Sequence, residues 1–203
     1  MKIRKPYFLL VPILIILGIG LFVATDKAFY LKECQKLATN CENSLLFADY
    51  LRSKGSLDSL DLDQRELSHM QDVKNLYNSL EFIFLLLCVF VISTLVFLIL
   101  KDRKTYRTFI VYYLYFGGLF TIGILLLIII LSFVSFNFVF EVFHTLFFSK
   151  ESYVFSDQSI LIRLFPLTFF IDALKRIIVF SFALSVFFTV TGFLLKKRKY
   201  DKV

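Results

Sequence analysis

Apolar residues along this chain gather into four uncharged blocks, Tyr7–Thr25, Phe82–Leu100, Phe109 to about Phe136, and Ile177–Leu195. About 30 Å of hydrocarbon, crossed at 1.5 Å per residue, takes roughly 20 residues. Each block reaches that length, so the pattern predicts an all-α integral membrane protein with four transmembrane helices. The third block is long and contains Gly117-Gly118, which predicts a tilt or local bend at that pair. The first has a basic start and small residues near Ala24, as a signal peptide would. Its apolar run exceeds the roughly 7–15 residues of a signal core, and no A-x-A site follows, so it reads as a retained helix.

The two longer connections differ from each other. Residues 26–81 are polar and mostly helix-compatible, with weak helical spacing at Phe29, Leu37, Leu45 and Leu46. Lys54-Gly55-Ser56 reads as a turn. Ser68, followed three residues later by Gln71, matches a capping box and predicts a helix start at Ser68 that runs on towards the second block. Residues 137–176 are rich in Phe, yet Glu141, His144, Lys150, Glu151, Asp157, Arg163 and Asp172 interrupt them. An apolar stretch with regular polar breaks lies in the membrane interface or re-enters shallowly, so no fifth span is expected.

Composition agrees with lipid as the solvent. The 203 residues are 58% hydrophobic, against about 45–50% in soluble domains, and the length suits one domain. The net charge of +7 raises nucleic acid as a partner, but its placement argues against that. The N-terminus (Lys2, Arg4, Lys5), the connection around Lys101–Arg107 and the C-terminus from Lys196 hold 12 of the 23 basic residues and two of the 16 acidic ones. The positive-inside rule puts these three segments in the cytoplasm, with residues 26–81 and 137–176 outside. The basic excess thus reports topology, with both termini cytoplasmic. Lys175 and Arg176 go against the rule and are expected to snorkel to lipid phosphates. Cys34 and Cys41 fall on the outer side, where oxidation is permitted. A continuous helix would hold their Cα atoms roughly 10 Å apart, beyond the disulfide limit of about 7 Å, whereas a loop would allow a bridge. Cys88 reads as packing.

The chain lacks a Gly-x-Ser-x-Gly elbow, a His-Glu-x-x-His motif and a Cys-x-x-Cys pair. The four blocks carry no Asp, Glu, Lys, Arg or His that would mark an ion path. The only two histidines, His69 and His144, both lie in the outer segments. At the start of a helix the dipole disfavours imidazolium at His69, and a neutral imidazole is what a general base needs. Asp72 lies on the same helical face and Glu66 precedes it; either could orient the ring. Glu141 stands three residues before His144. Ordinary roles compete throughout: solvated loop histidines, solvated helix-face acids, a headgroup contact for Arg163, and lipid or core packing for the Phe clusters.

The run Glu66-Leu67-Ser68-His69-Met70-Gln71-Asp72-Val73-Lys74 resembles the His-x-x-Asp-Val-Lys stretch of a family of small four-span bacterial proteins. Phe143-His144-Thr145-Leu146-Phe147-Phe148 and the run from Leu161 through Arg163 to Asp172 resemble it too. That family is the lipoprotein intramolecular transacylases of low-GC Gram-positive bacteria. Tyr153 stands where the family carries Trp, an aromatic exchange.

The resemblance implies an acyltransferase in the cell membrane whose substrate is a diacylated lipoprotein. The sn-2 acyl chain of the diacylglyceryl-cysteine would move to the α-amine of that cysteine, giving the lyso-form. It implies that His69 and His144 carry the catalysis, by general acid and base, with His69 taken as the base and His144 as the acid or oxyanion partner. Supporting or substrate-binding candidates are Glu66, Asp72 and Lys74 beside the first histidine, Phe143 and Tyr153 beside the second, and Tyr50, Arg163 and Asp172. Ester-to-amide transfer is downhill and both reacting groups sit on one molecule, so no cofactor and no metal is expected. Membrane lipids are the other partners, nucleic acid is excluded, and a monomer is expected. The alternatives are a membrane scaffold or sensor acting through its outer loops, and a lipid-ester hydrolase.

Overall fold

The computed structural model of the protein describes residues 7–200. No strand occurs among them, and eight α-helices follow a short 3-10 turn at Tyr7–Leu9: α1 Leu10–Ala24, α2 Lys27–Leu37, α3 Cys41–Leu51, α4 Gln64–Lys101, α5 Arg103–Phe147, α6 Lys150–Tyr153, α7 Ile160–Leu164 and α8 Leu167–Tyr200. Among the described residues four helices are long and apolar enough to cross a membrane, and they carry the four apolar blocks. Lys2, Arg4 and Lys5, used above for orientation, lie outside the described residues, as do the last two charged residues of the C-terminal basic segment, Asp201 and Lys202. The chain groups into two compact units. One holds the first helix as far as Ile19, Phe82–Ile130, and the last helix from Ile177. The other holds Gly20–Glu81 and Leu131–Arg176.

The first unit is the apolar one. Val11, Ile15, Leu98, Phe109 and Tyr113 form its buried cluster, while Phe82, Val89 and Leu100 point outward, as side chains do when lipid replaces water. Hydrophobicity does not drive helix against helix in lipid, so close backbone packing must. Gly117, Gly118 and Gly192 serve that end. A Cβ on Gly117 would lie 2.3 Å from Val11 Cγ2, one on Gly118 2.7 Å from the Ser185 carbonyl oxygen, and one on Gly192 2.5 Å from the Tyr115 nitrogen. The non-helical residue inside α5 is Ser135 (φ −162°, ψ 104°) rather than Gly117 or Gly118, and the glycine pair is a packing site. The hydroxyls of Thr121 and Ser185 donate to carbonyls four residues back, at 2.8 and 2.6 Å, which satisfies them within their own helices.

The second unit is built by caps and aromatic rings. Asp26 caps α2, its Oδ1 accepting the Ala28 N–H at 3.0 Å. Ala38, in the left-handed region at φ 53°, ends that helix. Asn40 then caps α3 through the Asn43 N–H. Because the chain turns between them, Cys34 and Cys41 stand 5.2 Å apart at Cα and are joined by a disulfide. The continuous helix that would have separated them does not form, since a left-handed residue and a fresh cap intervene. Phe29, Tyr30, Phe47, Phe165 and Phe169 pack as a ring cluster, with Phe47 and Phe165 centroids 4.8 Å apart. Ion pairs link α2 and its cap to the start of α8: Arg176 with Asp26, and Lys36 with Asp172. Reduction of the disulfide, or Cys34→Ser, is expected to destabilise this unit by about 2 kcal/mol through loop-closure entropy. Thermal unfolding with and without reductant measures it.

Helix α4 begins earlier than Ser68-Gln71 suggests. Asp63 and Glu66 make the reciprocal box: the Glu66 N–H donates to Asp63 Oδ1 at 2.8 Å, and the Asp63 N–H donates to Glu66 Oε2 at 3.0 Å. This box wins because Glu66 is buried and further bonded, whereas Ser68 is exposed. Much of residues 26–81 and 137–176 is consequently helix continuing from the apolar blocks. His69 rides on α4 just inside its first turns, and His144 on the last turns of α5.

Candidate active site

The kink at Ser135 and the reach of α5 to Phe147 set His144 beside His69. Both rings are buried, with centroids 6.4 Å apart and planes 23° from parallel. Aromatic side chains line the pair. Phe148 and Phe155 lie 5.0 and 5.5 Å from the His69 ring. Phe140 and Tyr153 lie 4.0 and 4.9 Å from the His144 ring, with Phe143 at 5.4 Å.

The two imidazoles are held differently. His144 Nδ1 sits 2.8 Å from the Phe140 carbonyl oxygen. A carbonyl only accepts, so Nδ1 carries the hydrogen and the neutral ring keeps its lone pair on Nε2. His69 Nδ1 is buried and has no hydrogen-bond partner among the described residues. Orphaned buried N–H groups are rarer than under-satisfied acceptors. The cheaper arrangement leaves Nδ1 bare and puts the hydrogen on Nε2. The pair thus offers one lone pair and one N–H.

Burial drives both pKa values down. His69 falls from 6.5 to about 4, mainly through desolvation, then through the charge of His144, with Asp72 opposing weakly. His144 is also lowered by desolvation, partly offset by its bond to Phe140. Both rings are neutral at pH 7. A histidine whose folded pKa lies below its unfolded value takes up protons on unfolding, so stability is lost as pH falls. The melting temperature is expected to drop between about pH 6.5 and 4, and His69→Phe should flatten that dependence. A pH series of thermal scans reads it.

The other candidates separate into groups. Glu66 does not touch either ring. Its Oε1 accepts the Ser159 hydroxyl and, at 3.1 Å, the Leu161 N–H; it ties the start of α4 to the start of α7. Asp72 is exposed and reaches His69 only through its field. Lys74 Nζ lies 4.2 Å above the Tyr50 ring, and the Tyr50 hydroxyl donates to Gln71 Oε1 at 3.0 Å, so these two form a separate strip. Asp172 is bonded to Lys36 and Lys175, which hold its carboxyl below its usual range; it belongs to the framework. Arg163 is exposed on α7 and borders an open groove of about 400 Å³ that reaches Phe155. Sequence reasoning missed Phe148, Phe155 and Ser159. Phe148 lies in the motif run after His144 but was not singled out, whereas no local pattern marks Phe155 and Ser159, which the fold brings in from the segment between α6 and α7.

Comparison with known proteins adds the following. A family model described as lipoprotein intramolecular transacylase Lit matches residues 6–170. A protein of Aquifex aeolicus (strain VF5), described as an uncharacterized protein, is 33% identical over 137 residues, 66% of this chain. The match spans only 57% of that relative's length. Among solved structures, the in meso structure of the membrane integral lipoprotein intramolecular transacylase Lit from Bacillus cereus superposes with a TM-score of 0.78 at 20% identity, covering 96% of each chain. A structure of that protein with a histidine-to-arginine substitution gives 0.74 at 19% identity, over 97% of this chain and 92% of the other. These structures share the fold.

Proposed function

The chain belongs to the lipoprotein intramolecular transacylase family, and from that membership we propose that this multi-pass membrane protein moves an acyl chain within a diacylated lipoprotein. The sn-2 chain of the diacylglyceryl-cysteine passes to the α-amine of the same residue, leaving a lyso-glyceryl, N-acylated product. The observation that carries the reading is the pair of buried imidazoles, 6.4 Å apart, with complementary hydrogen-bonding roles.

The α-amine, with a pKa of about 7.7–8.0, must lose a proton as it attacks the ester carbonyl. His144 Nε2, its lone pair fixed by the Nδ1–H bond to Phe140, accepts that proton. This reverses the roles expected from the dipole at His69, because a ring whose pKa lies near 4 holds a proton poorly. His69 instead donates its Nε2–H to the oxyanion of the tetrahedral intermediate, where a neutral donor in a dry site is effective. The intermediate collapses with cleavage of the ester C–O bond, and His144 returns its proton to the glycerol oxygen. Protons balance, no nucleophilic serine or cysteine takes part, and no energy source is consumed. The enzyme's main task is to bring two groups of one molecule into attack geometry.

The site is assigned to the extracytoplasmic face of the cell membrane. The charge distribution supports this, and so does the Cys34–Cys41 disulfide in the same unit as the histidines, since disulfides persist in oxidising compartments. Mass spectrometry of a reporter lipoprotein co-expressed with the chain tests the reaction. An unchanged total mass with one acyl group relocated from glycerol to nitrogen is expected. Loss of one acyl mass would point to hydrolysis, and no change at all to a scaffold.

A further inference from the structure

A lipoprotein substrate has a third part besides its lipid and its amine. The cysteine that carries both continues, at its own carbonyl, into a polypeptide. That chain must leave the site over polar ground, because its N–H and C=O groups cannot stay unpaired in an apolar setting. The open groove described above provides such ground. Asp61, Asp63, Arg65, Phe155, Gln158 and Arg163 are among its walls.

Phe155 joins the groove to the histidine pair: it lines the groove and lies 5.5 Å from the His69 ring. A cysteine with its amine at the pair has its carbonyl only two bonds further on. The wall is held in place from behind. Arg65 Nη2 donates to the Val154 carbonyl at 3.1 Å and its guanidinium lies over the Phe155 ring, while Glu66 fixes Ser159 and Leu161.

Resting on the transacylase reading, we infer that this groove is the subsite for the first polypeptide residues after the acylated cysteine, held by their main chain. Its charge pattern favours a polyamide. Carboxylates at Asp61 and Asp63 accept N–H groups, and Arg163 and Gln158 donate to C=O groups. An anionic headgroup would meet Asp61, Asp63 and Glu66 as well as Arg65 and Arg163, so the lining offers it no excess of positive charge. With little apolar lining, the groove reads backbone rather than any one side chain.

The test compares two substrates in detergent or vesicles: diacylglyceryl-cysteine amide, and the same lipid on a heptapeptide. Wild-type protein is expected to show the higher kcat/KM for the heptapeptide. Ser156 and Gln158 are exposed, so substitutions there are tolerated by the fold. Ser156→Trp and Gln158→Ala should each lower the heptapeptide-to-amide ratio of kcat/KM at least fivefold, through KM. A ratio equal to the wild-type value in both variants overturns the groove assignment while leaving the transacylase reading intact. So does a loss equal for both substrates that tracks the anionic lipid content of the vesicles, which would mark a headgroup site. No turnover of either substrate by the wild-type protein sinks the transacylase reading itself, and the groove's role with it.

Discussion

Replacing His144 with alanine is expected to lower the proposed acyl transfer about 10³-fold, the range in which a positioned general base contributes. The reason is geometric. The Phe140 carbonyl, 2.8 Å from Nδ1, fixes which nitrogen holds the lone pair and which way the ring faces. The neighbouring imidazole, His69, lies 6.4 Å away and burial holds it near pKa 4, so it is a poor substitute for taking the proton. His144→Gln keeps a polar group but has no proton-accepting nitrogen, and it should be as inactive as alanine. With His69 in the proposed role of oxyanion donor, His69→Ala is expected to cost roughly 10²–10³ in kcat. The rate is followed as relocation of the acyl group on a reporter lipopeptide, with helicity and melting temperature as checks on the fold. His144→Ala retaining activity within tenfold of wild type would remove that ring from the chemistry.

The membrane architecture was legible because the bilayer imposes it. An uncharged block of about 20 residues has few ways to satisfy its backbone in lipid other than as a helix, and the four blocks lie on α1, α4, α5 and α8. Details decided by packing were not. Gly117 and Gly118 look alike whether they bend a helix or admit a neighbour; only the positions of Val11 and Ser185 distinguish the two. Ser68-Gln71 and Asp63-Glu66 both spell a capping box, and the choice depended on Ser159 and Leu161, far along the chain. The Cys34–Cys41 bridge turned on one left-handed residue, Ala38, with no glycine to announce it. At the site, the histidines were legible as residue types and through the family resemblance, but nothing in their spacing shows rings 6.4 Å apart. Asp172 matched the motif as well as His144 did, yet sits in an ion-pair framework.

Glu66 is where sequence and structure assign different jobs, and its substitution separates them. As an orienting partner for His69, its loss would alter the pH profile of the reaction and leave stability nearly unchanged. The geometry predicts otherwise. The carboxylate accepts the Leu161 and Asp63 N–H groups and the Ser159 hydroxyl, and Leu161 is buried. Glu66→Ala leaves the Leu161 N–H without an acceptor, and a buried unsatisfied donor costs about 1–3 kcal/mol. Loss of the cap at Asp63 adds about 1 kcal/mol, for a total near 3 kcal/mol. Glu66→Gln keeps one carbonyl oxygen and should cost about 1 kcal/mol. Unfolding in detergent gives these values directly. With α7 released from the start of α4, Phe155 loses its fixed place beside His69, so transfer by Glu66→Ala should fall together with stability and recover largely in Glu66→Gln. A Glu66→Gln protein of wild-type stability but displaced pH profile would return Glu66 to the role its position before His69 first suggested.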